Sequence, residues 1–250
     1  PSFVSAQNDV TIANMTVQLW PEYDQPSMLV IADFQVTAAT ALPVAMTFRI
    51  PQEANLVAVA ALAGDGSFLN ATFDGPNDDG EWQTFTITVS QSSAYRFEYY
   101  QPITFNGNKR VFSYLWDGTY AVDAFNVLVL EPTDVTTFSM DPTYESISQQ
   151  NGNNYYDSGI VQLASGQQFA LNLNYDKSTD TLVAPADGIE PAAPVDENTP
   201  GRVSLNNSIP YIIGGLGVVL IVGGIAYYWR AGRKSFKSPR RRSHAHNESE

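Results

Sequence analysis

The chain has 250 residues, 44% of them apolar and 12% aromatic, and a net charge of −13. That composition supplies a core for one or two domains and excludes a wholly disordered chain. It contains no cysteine, and its two histidines, His244 and His246, lie at the C-terminus, which excludes disulfides, thiol catalysis, zinc–cysteine sites and a Ser-His-Asp relay from the body of the protein.

From the N-terminus onward the pattern is that of short strands separated by turn residues. Strands are expected at 14–20, 28–38, 43–50, 55–62, 67–73, 81–89, 94–100, 109–116, 121–130, 134–140, 155–163 and 167–175. In Glu81–Val89 the residues Phe85, Ile87 and Val89 face a core while Thr84, Thr86 and Thr88 face water. In Gln167–Tyr175, Phe169, Leu171, Leu173 and Tyr175 alternate with Ala170, Asn172 and Asn174. Gly64-Asp65-Gly66, Asn106-Gly107, Asp117-Gly118 and Asn151-Gly152 provide turn chemistry. Near Ala13 the apolar parity switches from Val10 and Ile12 to Met15, Val17 and Leu19, the mark of a bulge. No amphipathic helix interrupts this series. The fold class expected is all-β, an antiparallel β-sandwich, either one large sandwich or two tandem ones. In domain terms, residues 1–101 form one sandwich and 102–183 a second or a continuation, with Gln101-Pro102 to Lys109 as the candidate boundary.

At about residue 184 the alternation stops. Pro185, Pro191, Pro194 and Pro200 sit among Ala, Gly and acidic residues, so 184–208 reads as a stalk. Ile209–Trp229 then runs without a charged side chain. As a helix at about 1.5 Å per residue it measures roughly 32 Å, close to the roughly 30 Å of a bilayer's hydrocarbon core, and is expected to be a transmembrane span. Tyr211 at one end and Tyr227, Tyr228 and Trp229 at the other suit the lipid interfaces, joined by Arg230, Arg233 and Lys234. Residues 1–228 carry 6 Lys/Arg against 24 Asp/Glu, whereas 229–250 carry 7 against 2. Residues 230–250 are therefore expected to be a basic cytoplasmic tail and the acidic N-terminal region to lie outside the cell. Because Pro1 is not a start methionine and no apolar stretch precedes Phe3, a signal peptide is expected to have been removed or omitted. Export without cysteine points to a bacterial or archaeal cell envelope, bacterial being preferred, over a eukaryotic secretory route.

Candidate sites are few. Asp74, Asp78, Asp79 and Glu81 form a hard-oxygen set able to bind Ca²⁺, without the spacing of a helix-loop-helix calcium motif; the alternative is a solvated loop. Glu22 and Asp24 form a close carboxylate pair, but adjacency in a Pro-flanked turn reads more simply as Trp20 and Tyr23 packed at a strand end with the carboxylates capping backbone donors. Tyr95, Phe97, Tyr99, Tyr100, Phe105, Phe112, Tyr114 and Trp116 offer an outward-facing aromatic cluster for sugars or protein, although alternate members must be core. Within the span, Gly214, Gly217 and Gly224 share one helix face with Pro210 and Ile221, a close-packing surface for another helix. His244-Ala-His246 is a weak chelating pair. No cofactor and no nucleic-acid partner are expected; a basic tethered run is not a recognition fold. The partners expected are membrane lipid and a protein of the membrane or envelope.

Leu19-Trp20-Pro21-Glu22-Tyr23-Asp24-Gln25-Pro26, followed by Leu29-Val30-Ile31, resembles a recurring opening of a bacterial family of single-pass envelope proteins. Glu98-Tyr99-Tyr100-Gln101-Pro102, Lys109-Arg110-Val111-Phe112-Ser113-Tyr114-Leu115-Trp116 and Tyr120-Ala121-Val122-Asp123 are similar to the same family. The resemblance implies an all-β ectodomain, a Pro-rich stalk, one helix and a basic tail, and implies no activity. Some members end in a cytoplasmic zinc ribbon; without cysteine this chain departs from that pattern. The function expected is a non-enzymatic, membrane-anchored accessory or scaffolding subunit of a membrane assembly. The alternative is a glycan or surface-polymer binding module on a stalk; an enzyme would need a carboxylate site.

Overall fold

Alternation of branched or aromatic residues with polar ones, punctuated by Gly and Asn, gives a chain of strands. A computed structural model describes residues 10–150, 152–184 and 192–203. Among them are sixteen strands and no helix: β1 Thr11–Pro21, β2 Met28–Val36, β3 Val44–Pro51, β4 Asn55–Leu62, β5 Phe68–Asn70, β6 Phe73–Asp79, β7 Trp82–Val89, β8 Tyr95–Gln101, β9 Thr104–Asn106, β10 Lys109–Trp116, β11 Ala121–Leu130, β12 Val135–Asp141, β13 Ser146–Gln150, β14 Asn153–Asp157, β15 Val161–Leu163 and β16 Phe169–Lys177. The period-2 reading holds where it was sharpest: Phe85, Ile87 and Val89 are fully buried, as are Leu171 and Leu173. The parity switch near Ala13 is a register shift between Ile12 and Asn14 where β1 pairs β2.

The largest sheet runs β13-β14-β11-β1-β2-β8-β4-β5, with β15 also on β11. Its pairs are antiparallel except β1 with β11, which run parallel from Thr11 opposite Ala121 to Leu19 opposite Val129. That pairing decides the organisation. A strand of the second half lies beside the first strand of the chain, so residues 102–183 continue the first body, and Gln101 to Lys109 merely connects β8 to β10 through β9. Two smaller sheets, β3-β7-β6 and β12-β16-β10-β9, complete the strands.

Both small sheets pack against one face of the large one in a sandwich-like arrangement, and aromatic side chains fill the space between. Phe48 of β3 meets Phe34 of β2 at 4.8 Å and Phe97 of β8 at 5.0 Å between ring centroids. Further along, Phe125 of β11 lies 5.0 Å from Phe169 of β16 and 6.2 Å from Trp116 of β10. Tyr120 is buried against Phe48 of β3 and accepts a hydrogen bond from the Thr47 amide at 2.8 Å. Each such ring adds roughly 1.5–3 kcal/mol of burial.

Three expectations are corrected. Most of the acidic run from Asp74 is not a loop: β6 extends to Asp79 and pairs with β7, and Gly80, at φ 73°, and Glu81 make the turn. The expected strands 67–73 and 155–163 are each split in two, and β9 and β13 carry too little apolar pattern to be foreseen. Thirdly, the Pro-rich stretch does not leave the body at residue 184. The Val195 amide donates to the Leu56 carbonyl at 2.8 Å, Phe73 donates to Gly201 at 2.9 Å, and Val203 donates to Phe73 at 2.7 Å. Residues 192–203 are thus a strap along the edges of β4 and β6, anchored by Val195 against the main core. Residues 185–191 and everything after 203 lie outside the described residues. The latter include the span 209–229 and the tail; among the described residues no helix is long and apolar enough to cross a membrane.

Candidate functional site

The two quoted segments that open at Leu19 and Glu98 meet on the outer face of the large sheet. Strand parity sends Val17 and Leu19 inward, so Trp20 emerges on the opposite side, next to Leu29 and Ile31 of β2 and Tyr100 of β8. Leu29, Ile31, Val57 and Tyr100 form a second apolar cluster, separate from the main core, on which Trp20 and Tyr23 pack. The Trp20 and Tyr23 rings lie 4.6 Å apart at 54°. Between β1 and β2 the chain turns at Glu22, whose φ of 48° is left-handed, and the Glu22 amide closes the turn on the Ser27 carbonyl at 2.9 Å. This sets Asp24 over the cluster, where its Oδ2 accepts the Tyr100 hydroxyl at 2.7 Å. Burial, followed by that bond, pushes the Tyr100 phenol well above its ordinary value. Trp20 Nε1, Asp24 Oδ1 and Ser27 Oγ are buried without a hydrogen-bond partner among the described residues. A carboxylate acceptor, a hydroxyl and an indole donor are therefore unspent beside a partly open aromatic pair.

Along the same face runs a charged row. Arg96 holds Asp33 through a two-bond fork of 2.7 and 2.8 Å, approaches Glu98 at 3.7 Å and lies over the Phe68 ring at 4.2 Å. Gln18 adds a long bond to Asp33 at 3.4 Å. Burial raises the Glu98 carboxyl above its usual range; Arg96 opposes the shift and the charges of Asp33 and Asp24 add to it. The bond to Asp33 holds the Arg96 guanidinium further toward its charged form.

Glu22 faces the opposite way. Its side chain is 1% exposed and takes the Tyr175 hydroxyl at 2.9 Å, Lys177 Nζ at 3.4 Å and Arg110 Nε at 3.5 Å. Lys177 also donates to the Thr181 carbonyl at 2.6 Å, and Arg110 to the Gly107 carbonyl at 2.5 Å and Asp180 at 2.6 Å. One carboxylate thus joins the β1–β2 turn to β10 and β16. Glu22 and Asp24, neighbours in sequence, serve different partners and share no cleft. Neither caps the backbone donors assigned to the pair from sequence. Trp20 and Tyr23 do pack at the strand end.

The other expected residues are dispersed. Asp78 accepts the Gly80 amide at 2.9 Å and Gln52 Nε2 at 3.2 Å, and Asp79 faces Arg49 at 3.7 Å. With Asp74 and Glu81 they are spread along the β6–β7 hairpin, and among the described residues no group of three or more His, Asp or Glu is placed to hold a metal ion. The mid-chain aromatics turn mostly inward. Tyr95, Phe97, Tyr99, Phe112, Tyr114 and Trp116 are core, Tyr100 belongs to the outer cluster, and only Phe105 is exposed, at 42%, beneath the Arg110 guanidinium. Gly214, Gly217 and Gly224, the interface residues from Tyr211 to Lys234, and His244 and His246 lie outside the described residues. Sequence reading missed Arg96, Asp33 and Glu98 because single charges on alternate strand positions look like an ordinary solvated face.

No protein-family model matches the chain, and no curated protein matches it. Solved structures with some likeness include an M1 zinc metallopeptidase from Deinococcus radiodurans, 10% identical over 67% of this chain and 42% of that one, with a TM-score of 0.42. Legionella pneumophila aminopeptidase A is 8% identical over 68% of this chain and 21% of its own, also at a TM-score of 0.42. The chain thus spans less than half the length of either, and a likeness at that level carries no activity over to it.

Proposed function

We propose that this chain is a non-enzymatic interaction protein of the bacterial cell envelope, an acidic all-β head tied to the membrane by a helix at 209–229, with residues 230–250 in the cytoplasm. In this reading it is an accessory or scaffolding subunit of a membrane assembly. Tyr211, Tyr227, Tyr228 and Trp229 sit at the lipid interfaces, Arg230, Arg233 and Lys234 follow on the cytoplasmic side, and Gly214, Gly217 and Gly224 form the face that packs on another helix. The observation that carries the reading is the charge contrast about an uncharged run of 21 residues: 6 Lys/Arg against 24 Asp/Glu before position 229, and 7 against 2 from there on. The head supports it with an outer face whose aromatic pair and unpartnered polar atoms suit contact with another macromolecule better than bulk water.

Expression of the full chain followed by alkaline extraction of membranes tests the anchor; release into the aqueous phase would end this reading. Cross-linking in intact cells, with the detergent-solubilised chain recovered free of any specific partner, would end the scaffolding role.

The alternative, a glycan-binding head, is favoured by one observation: the Trp20–Tyr23 pair stands beside the unpartnered Asp24 Oδ1, a ring face and a carboxylate that together suit a sugar. A glycan array without signal would remove it.

A further inference from the structure

The edges of the three sheets are treated unequally. β5, β9 and β15 are only three residues long. β3 follows Pro43, ends in Pro51 and exposes Arg49, β6 is bridged by the strap at Arg202, and β12 contains a register shift between Val135 and Thr137. Short length, proline, charge, cover and bulges are the means by which sheet edges avoid further pairing. β13, the terminal strand of the nine-stranded sheet, has none of them. Its sequence Ser-Ile-Ser-Gln-Gln is free of charge and proline, all five residues are exposed, and its register with β14 is unbroken from Ser146 opposite Asp157 to Gln150 opposite Asn153. Among the described residues nothing pairs with its other edge. Ile147 there is 52% exposed.

The surrounding charge is of one sign. From Ala121 to Leu163, the stretch that supplies β11 to β15, there are six Asp/Glu and no Lys or Arg. Glu145 and Asp157 stand at the start of β13, where the Glu145 amide donates to the Asp157 carbonyl at 2.8 Å. We infer that β13 is a docking edge for an extended segment of a partner polypeptide whose central residues are uncharged and β-branched and whose flanks carry Lys or Arg. Main-chain bonds to the open edge supply affinity, and the uncompensated carboxylates select the basic flanks. A second copy of this chain fits less well, because it brings another acidic end. The inference rests on reading the head as an interaction module and names the chemistry of its partner.

The test uses the full chain in mild detergent and two synthetic decapeptides with the same Thr/Val core, one ending in Lys pairs and the other in Glu pairs. The Lys-flanked peptide slows amide hydrogen exchange in β13 and binds at least tenfold more tightly than the Glu-flanked one. Ile147→Lys weakens it at least tenfold, whereas Ile147→Val stays within twofold. Unchanged β13 exchange, equal binding of the two peptides, or β13 protection that grows with protein concentration in the absence of peptide would each overturn the inference. Failure here while cross-linking still recovers a specific partner would place that partner elsewhere on the protein and leave the scaffolding role standing. Loss of both would remove the role itself.

Discussion

The Tyr175 hydroxyl donates to Glu22 Oε2 at 2.9 Å across 153 positions of sequence, and this bond ties the β1–β2 turn to β16. Lys177 and Arg110 reach the same carboxylate, and all four residues are buried. Removing the acid would leave two cations in the interior without their shared counter-charge, a larger penalty than losing one neutral bond. Glu22→Ala is expected to lower stability by about 3–5 kcal/mol. Tyr175→Phe, which keeps both ion pairs, is expected to cost about 1.5–3 kcal/mol. Urea denaturation of the full chain in detergent checks the order; equal midpoints for the two variants would show that Glu22 is not the hub.

Phe48 occupies the centre of the layer between the large sheet and β3-β7-β6, within 6 Å of the ring centroids of Phe34, Phe85, Phe97 and Tyr120. Neighbouring rings cannot close the space left by its removal, so Phe48→Ala is expected to cost about 3–5 kcal/mol. Leu115, 38% exposed on the outer face of β10, serves as the control. Leu115→Ala should remain within about 0.5 kcal/mol of the parent. Comparable losses for both, measured by thermal unfolding, would contradict the layer assignment.

These two positions show what could be read from the sequence. Phe48 belongs to an alternating run, and alternation alone places it inside. The bulge near Ala13 and the inward run Phe85, Ile87, Val89 were legible for the same reason, because the pleat has period 2 and one face is buried. Glu22 was not legible. Its partners Arg110, Tyr175 and Lys177 lie on distant strands, and which strands meet is set by the parallel pairing of β1 with β11, for which local pattern gives no signal. The charged row of Asp33, Arg96 and Glu98 was hidden likewise, since its register emerges only once β2 and β8 are neighbours. The strap at 192–203 escaped because one valine among prolines and acids has no periodicity.

Glu98 gives the fold a defined pH response. Burial lifts its carboxyl above the ordinary value of 4.5, so the folded chain holds that proton at pH values where the unfolded chain has released it. The favourable contribution of Glu98 is therefore complete below about pH 4.5 and is lost as pH rises through the elevated folded value. Glu98→Gln removes the step. It should be more stable than the parent at pH 7, with the difference shrinking as pH falls toward 4.5. Denaturation midpoints at pH 4.5, 5.5 and 7 settle the sign, and a glutamine variant weaker than the parent at pH 7 would mean that the Arg96 contact outweighs burial.

Gly201 controls the strap. Its φ of 91° is unfavourable for any residue with a side chain, and a Cβ there would run into the carbonyl oxygen of Ala71. Gly201→Ala must therefore shift the strap away from Phe73, weakening the bonds that Gly201 and Val203 make to it. The expected loss of stability is about 1–3 kcal/mol, the scale of local backbone strain. Because the strap lies on edges that β4 and β6 already form, the effect should be local, with faster limited proteolysis within 192–203 and unchanged near-ultraviolet dichroism from the aromatic core. Gly64, where an added Cβ meets nothing within 4 Å, is the comparison. Gly64→Ala should be neutral or stabilise by about 0.4–1 kcal/mol through the unfolded chain. If Gly201→Ala left cleavage of the strap at the parent rate, the docking of residues 192–203 would not depend on that glycine, and its closeness to Ala71 would have no energetic consequence.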